Sequence, residues 1–187
     1  MNIPISLEKQ SNTPIERERK NKMSVITEEI RAAASEMYRG DEICQEKSKF
    51  LLTEMGLPNG LLPLRDIEEV GYIKDTGFVW LIQKKKFDHK FEKIGRHVQY
   101  GAEVTAYVEQ KKIKKLTGVK AKEMMIWLSI CDIYIDDPPT GKITFKSPTG
   151  FSRSFPIDAF VVQDNKPPIK DAVNLAAKAD AVQVKEL

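Results

Sequence analysis

Residues 98–110 read VQYGAEVTAYVEQ, and this stretch decides the fold class. Val98, Tyr100, Ala102, Val104, Ala106 and Val108 fall on six consecutive even positions, while Gln99, Glu103, Thr105 and Glu109 fall on odd ones. Side chains alternate across a strand with a period of two, so the pattern predicts a half-buried β-strand and not a helix. Shorter strands are expected at Phe78–Gln83, Lys112–Leu116 and Lys142–Lys146. MMIWLSICDIYI, at 124–135, is apolar on both faces and predicts a central strand covered on both sides. The turn signals KDTG, DDPPTG and SPTG separate these runs. Many short strands at such spacing argue for a mainly β, antiparallel barrel or sandwich over a βαβ fold.

Upstream of about Asp66 the period is helical. Ile26, Ile30, Ala33, Ala34 and Met37 predict a first helix, with Ser24 as its cap and Gly40 as its stop. DEICQEKSKFLLTEMG predicts a second, capped by Asp41, with a stripe of Ile43, Phe50, Leu51 and Met55 and a stop at Gly56. Between helices and strands lies GLPNGLLPL, at 56–64, which is unusually apolar for a connector. Leu57, Leu61, Leu62 and Leu64 are expected to plug one end of the β-unit, with a positive φ at Gly60. The domain reading is a disordered leader over 1–22, N-terminal helices over 23–56, a β-barrel domain over 57–163, and a linker with an Ala/Lys-rich helical tail over 164–187. Met23 is a plausible alternative start.

The 187 residues are 41% apolar and 30% charged, as in a soluble globular protein, and no apolar run is long enough to span a bilayer. The net charge of +3 hides an asymmetry: Lys84–Lys122 holds twelve Lys/Arg against four Asp/Glu, which leaves the remainder at −5. Such a segment draws anions or an acidic membrane surface, or serves as a solvated basic face. Two cysteines, Cys44 and Cys131, indicate no oxidising compartment. With no h-region at the start and a VKEL ending that matches no address signal, a cytoplasmic location, peripheral at membranes, is the expectation.

Chemistry is sparse. The two histidines, His89 and His97, lie eight apart on an expected hairpin and make a poor metal pair, so no metal or cofactor is expected. There is no G-x-S-x-G elbow and no phosphate-cradling glycine loop, and Ser152 and Ser154 follow strand alternation. Asp136 and Asp137 read as turn initiators, whereas Asp132, inside an apolar run, needs a partner if buried. Phe87, Phe91, Tyr100 and Tyr107 among lysines could stack bases, but no RNA-module signature is present and nucleic acid is not expected as a partner.

GLPNGLLPL, GYIKDTGFVWL, LTGVKAKEMMIWLSICDIYID and GKITFKSPTGFSRSFPIDAF, in this order from about Cys44 to Val162, resemble a plant family catalogued as domain of unknown function 538. The resemblance implies a plant protein of the trichome- and stress-associated type, without the secretion signal of many relatives. It also implies a small closed antiparallel β-barrel after the helices, comparable to lipid-binding modules of bactericidal/permeability-increasing proteins. Lipid or tetrapyrrole binding and roles in stress response or development follow from it as expectations, and no catalytic residues come with it.

The leading expectation is therefore a non-enzymatic barrel that binds an apolar or lipid-like ligand or an anionic membrane surface. Trp80 and Trp127 would contribute to the apolar site, while Lys84, Lys85, Lys86 and Arg96, with Lys111 and Lys112, would meet an anionic headgroup. The alternative is a protein-interaction module whose barrel is filled by its own side chains, Trp80, Trp127, Met124 and Met125 among them. An esterase or chlorophyll hydrolase that uses His89 or His97 stands third.

Overall fold

The computed structural model describes residues 24–163; the expected leader and helical tail lie outside the described residues. Two helices, α1 (Glu28–Ala32) and α2 (Asp41–Glu54), flank a first strand β1 (Glu36–Arg39). Nine more strands follow: β2 (Ile67–Ile73), β3 (Phe78–Gln83), β4 (Phe87–Phe91), β5 (Arg96–Glu109), β6 (Lys112–Glu123), β7 (Ile126–Ser129), β8 (Asp132–Ile135), β9 (Lys142–Lys146) and β10 (Ser152–Pro156). All form one antiparallel sheet in the order β1-β2-β3-β5-β6-β8-β9-β10, with β4 on β5 and β7 on β6. The fold is mainly β with helices at its start, as the alternation predicts. Among the described residues the sheet does not close into the expected barrel, because no ladder joins β1 to β10.

Curvature enters at breaks in the ladders. Between Tyr100 and Thr105 the β5–β6 register shifts, and Ala102, on the predicted apolar stripe, turns to solvent. There the Gln83 side-chain amide donates to the carbonyls of Tyr100 (3.2 Å) and Gly101 (2.8 Å), in place of a strand partner. Gly118, at φ +79°, passes so close to the Glu103 carbonyl that a Cβ would lie 2.1 Å from its oxygen. The segment predicted as one central strand is split: Met124 and Met125 form a turn, β7 lies against the end of β6, and β8 lies against its start. At the start of β8 the Asp132 carboxylate accepts the Lys115 N–H (3.4 Å), so its partner is backbone.

The first predicted helix is helical only in part, and its second half, Glu36–Arg39, is strand. Only Glu28–Ala32 is helical, capped by Thr27 and not Ser24, and no residue of it is buried. The Ser24 hydroxyl instead donates to the Glu103 carboxylate. In α2 the buried face is Cys44 and Leu52, whereas Ile43 and Phe50 of the expected stripe are exposed. Asp41 starts this helix with its carboxylate on the Ile67 N–H (2.9 Å), which ties α2 to β2. The apolar connector performs the predicted plug: Leu57, Leu61 and Leu64 are buried in the core, and the Tyr100 hydroxyl donates to the Leu61 carbonyl (3.1 Å). Gly60 is required for a different reason than expected. Its N–H bonds the Phe160 carbonyl (2.9 Å), and a Cβ would lie 2.6 Å from that oxygen.

Glu69, on β2, is a buried carboxylate that accepts from Trp80 Nε1 (2.9 Å), Arg31 Nε (2.9 Å) and Arg39 Nε and Nη2 (3.2 Å each). Burial pushes its pKa up, but the bonds from Trp80 and Arg31 outweigh burial and hold it below the usual carboxylate range. Because the folded carboxyl titrates below its unfolded value, its stability is present above that value and is lost as pH falls through the folded one. Glu69→Gln is expected to lower stability by about 3 kcal/mol at pH 7. In urea titrations followed by tryptophan emission, that deficit should narrow below pH 4.5, the ordinary value for this group. An equal deficit at pH 7 and pH 3.5 would refute the ionic role.

Candidate functional site

At one end of the sheet the chain gathers phenylalanines. Phe160 packs on Phe91 and Phe145 with ring centroids 4.9 and 5.2 Å apart, and Phe155 stands 6.0 Å from Phe145. Strand alternation explains the gathering: Phe91, Val98 and Ala121 share one face by register, and β9 and β10 turn Phe145 and Phe155 toward them. With Ile94, Leu128 and Ile130 they line an apolar mouth that encloses about 40 Å³. That is room for a water or a methyl group and not for a lipid, so as it stands this end is filled by its own side chains.

Three charged residues roof the mouth. Arg96 Nη1 and Arg153 Nε both reach the same oxygen of Glu123, at 3.2 and 3.0 Å. Each guanidinium also lies over an aromatic ring, Arg96 over Phe155 (5.8 Å) and Arg153 over the half-exposed Phe151 (5.5 Å). Two positive charges on one carboxylate leave an excess of one above an apolar floor. Among the described residues no serine, cysteine or histidine lines this mouth. Arginine does not deprotonate in proteins, so what the site offers is desolvation and fixed positive charge.

Of the sequence-predicted site residues, Arg96 stands at this roof and Trp127 beside it, on the opposite face of the sheet. Lys84, Lys85 and Lys86 are exposed before Phe87, at the far end of the β4–β5 hairpin, and Lys111 and Lys112 stand at the β5–β6 turn. Trp80 is fully buried with its N–H on Glu69 and does not face the mouth. His89 packs edge-on against Phe91 (4.6 Å), with its pKa lowered by burial and by Arg65, and His97 is exposed. Both cysteines are free, and burial raises the Cys44 and Cys131 thiols, which leaves them poor nucleophiles. Among the described residues no three His, Cys, Asp or Glu side chains converge on a point.

Sequence reasoning missed Glu123, Arg153 and the phenylalanine cluster. The available signal was density: Phe145, Phe151, Phe155 and Phe160 fall within GKITFKSPTGFSRSFPIDAF.

A family model described as "Protein of unknown function, DUF538" matches residues 48–161, and the chain belongs to that family. The matched span holds every residue that lines the mouth. No curated protein and no solved structure matches the chain.

Phe160→Ala is expected to cost about 3–5 kcal/mol in urea unfolding, since it removes a ring that three others pack on. A cost under 1 kcal/mol would mean that the mouth is open in solution.

Proposed function

We propose that the chain is a non-enzymatic module that binds a lipid-like amphiphile with an anionic head at the phenylalanine-lined mouth. The observation that carries this reading is the pair Arg96 and Arg153 held by one carboxylate above an apolar floor. A carboxylate or phosphate head would replace Glu123 on the guanidiniums, where bidentate contacts are strong. The first methylenes of its chain would take the space that the rim ring of Phe151 now borders. An aliphatic chain suits this volume better than a tetrapyrrole, whose ring far exceeds it. Roles in stress response or development would follow from such binding.

A second reading is favoured by the smallness of the cavity: a filled sheet that acts as a protein-interaction module. Calorimetry with decanoate, with decanol as the uncharged control, separates the two. Decanoate is expected to bind and decanol to bind at least tenfold more weakly. Arg153→Gln should weaken decanoate about tenfold, whereas Glu123→Gln, which frees both guanidiniums, should tighten it. Absence of decanoate binding to the wild-type chain and to Glu123→Gln alike would leave the interaction-module reading.

A further inference from the structure

Beyond the mouth, the β6–β7 hairpin ends in an apolar tip. Met124 and Met125 are each 89% exposed, Ile126 is 59% exposed and Trp127 39%. These are neighbours in sequence at a protruding turn, and contiguous exposed apolar surface of this kind marks an interaction site. The turn also breaks local rules. Two-residue hairpin loops favour Asn-Gly because φ is positive, yet Met124 takes φ +53° here. A methionine in this position costs the fold and gains it nothing in the core.

The surroundings specify the partner. One face of the sheet carries Lys90 opposite His97 and Lys122 opposite Trp127, with Lys120 opposite Ser129 two residues on. The Lys122 ammonium lies over the Trp127 ring at 5.9 Å. Lys93, whose ammonium donates to the Asp158 backbone carbonyl, and Arg96 and Arg153 add charge at the same end, where the Glu92 carboxylate pairs with Lys90 and that of Glu123 with the two arginines. Methionine, isoleucine and tryptophan at a tip, ringed by lysines, complement a bilayer interface: tryptophan settles at headgroup depth and basic residues are drawn to anionic lipid.

We infer that the Met124–Trp127 tip inserts into the headgroup region of an anionic bilayer while Lys120 and Lys122 contact its phosphates. The docking needs no ligand in the mouth, and a bilayer would also present amphiphiles next to Arg96 and Arg153.

The full chain is tested by co-sedimentation with phosphatidylcholine vesicles with and without 30% phosphatidylserine. Phosphatidylserine vesicles are expected to bind at least tenfold better, with a blue shift in tryptophan emission and quenching by brominated lipid. Trp80 is buried, so both signals report Trp127. Met124→Asn with Met125→Gly restores the turn chemistry, so it should keep or raise Tm while vesicle binding falls at least tenfold. Lys120→Gln with Lys122→Gln should reduce binding about 25-fold, at roughly fivefold per lysine. The inference is overturned if the two vesicle types bind alike, or if the Asn-Gly variant binds as wild type. It is equally overturned if the tip variants abolish only self-association or binding of another protein. Decanoate affinity measured on the Asn-Gly variant should be unchanged, so failure of docking and failure of the mouth reading remain distinct.

Discussion

The Glu69 carboxylate ties four pieces of chain together at the first edge of the sheet, across the ladders that pair β1 with β2 and β2 with β3. It lies on β2, takes the indole N–H of β3, and receives one guanidinium from α1 and another from β1. A five-residue helix with no buried side chain has no stability of its own, so α1 stays only because Arg31 and the buried Ile26 before it are anchored. The same bond fixes the Trp80 ring across Gly71, where a Cβ would lie 1.9 Å from the indole. Tryptophan, glycine and carboxylate thus specify one another, and the first edge of the sheet follows from them.

From that edge the sheet curls without closing. A barrel removes edges by pairing its first and last strands. Here β1 and β10 remain edges, and after β10 the 3₁₀ turn Ile157–Phe160 meets the apolar connector through the Gly60–Phe160 bond. Asn59 binds Val162 through both amide groups, donating to its carbonyl and accepting from its N–H, each at 2.9 Å. That latch, with the Gly60–Phe160 bond, fastens the chain after β10 to the chain before β2. The plug also sets the site, since Phe160 at the end of the latch is the ring around which the mouth packs.

What was legible in the sequence is what depends on period. The alternation at Val98–Val108 located β5, because a strand with one buried face must alternate. Phe78–Gln83 and Lys142–Lys146 coincide with β3 and β9 although neither alternates in burial, being short runs bounded by turn signals. The failures share a cause. Ile26, Ile30, Ala33 and Met37 have helical spacing, yet β1 forms because β2 offers it a ladder, and tertiary pairing overrides a weak local preference. Closure was illegible because the residues that bend the sheet, Gln83, Gly101 and Gly118, act through backbone contacts that leave no periodic trace. The mouth was half legible: a basic segment containing Arg96 was visible, but Arg153 and Glu123 meet it only through folding.

The hairpin tip shows why burial could not be assigned from hydrophobicity alone. MMIWL reads as core, since apolar residues usually are, but that rule runs in one direction only. The chain itself supplies a control. The β5–β6 turn, Gln110–Lys111, is also a two-residue loop with one positive φ, at Lys111, and it uses polar residues there. Its equivalent between β6 and β7 uses two methionines followed by isoleucine and tryptophan. Both turns belong to β6, so the geometry of the sheet tolerates polar side chains at such a place. The apolar choice at Met124–Trp127 is therefore not imposed by the fold, and its explanation has to be sought in what that end of the molecule meets.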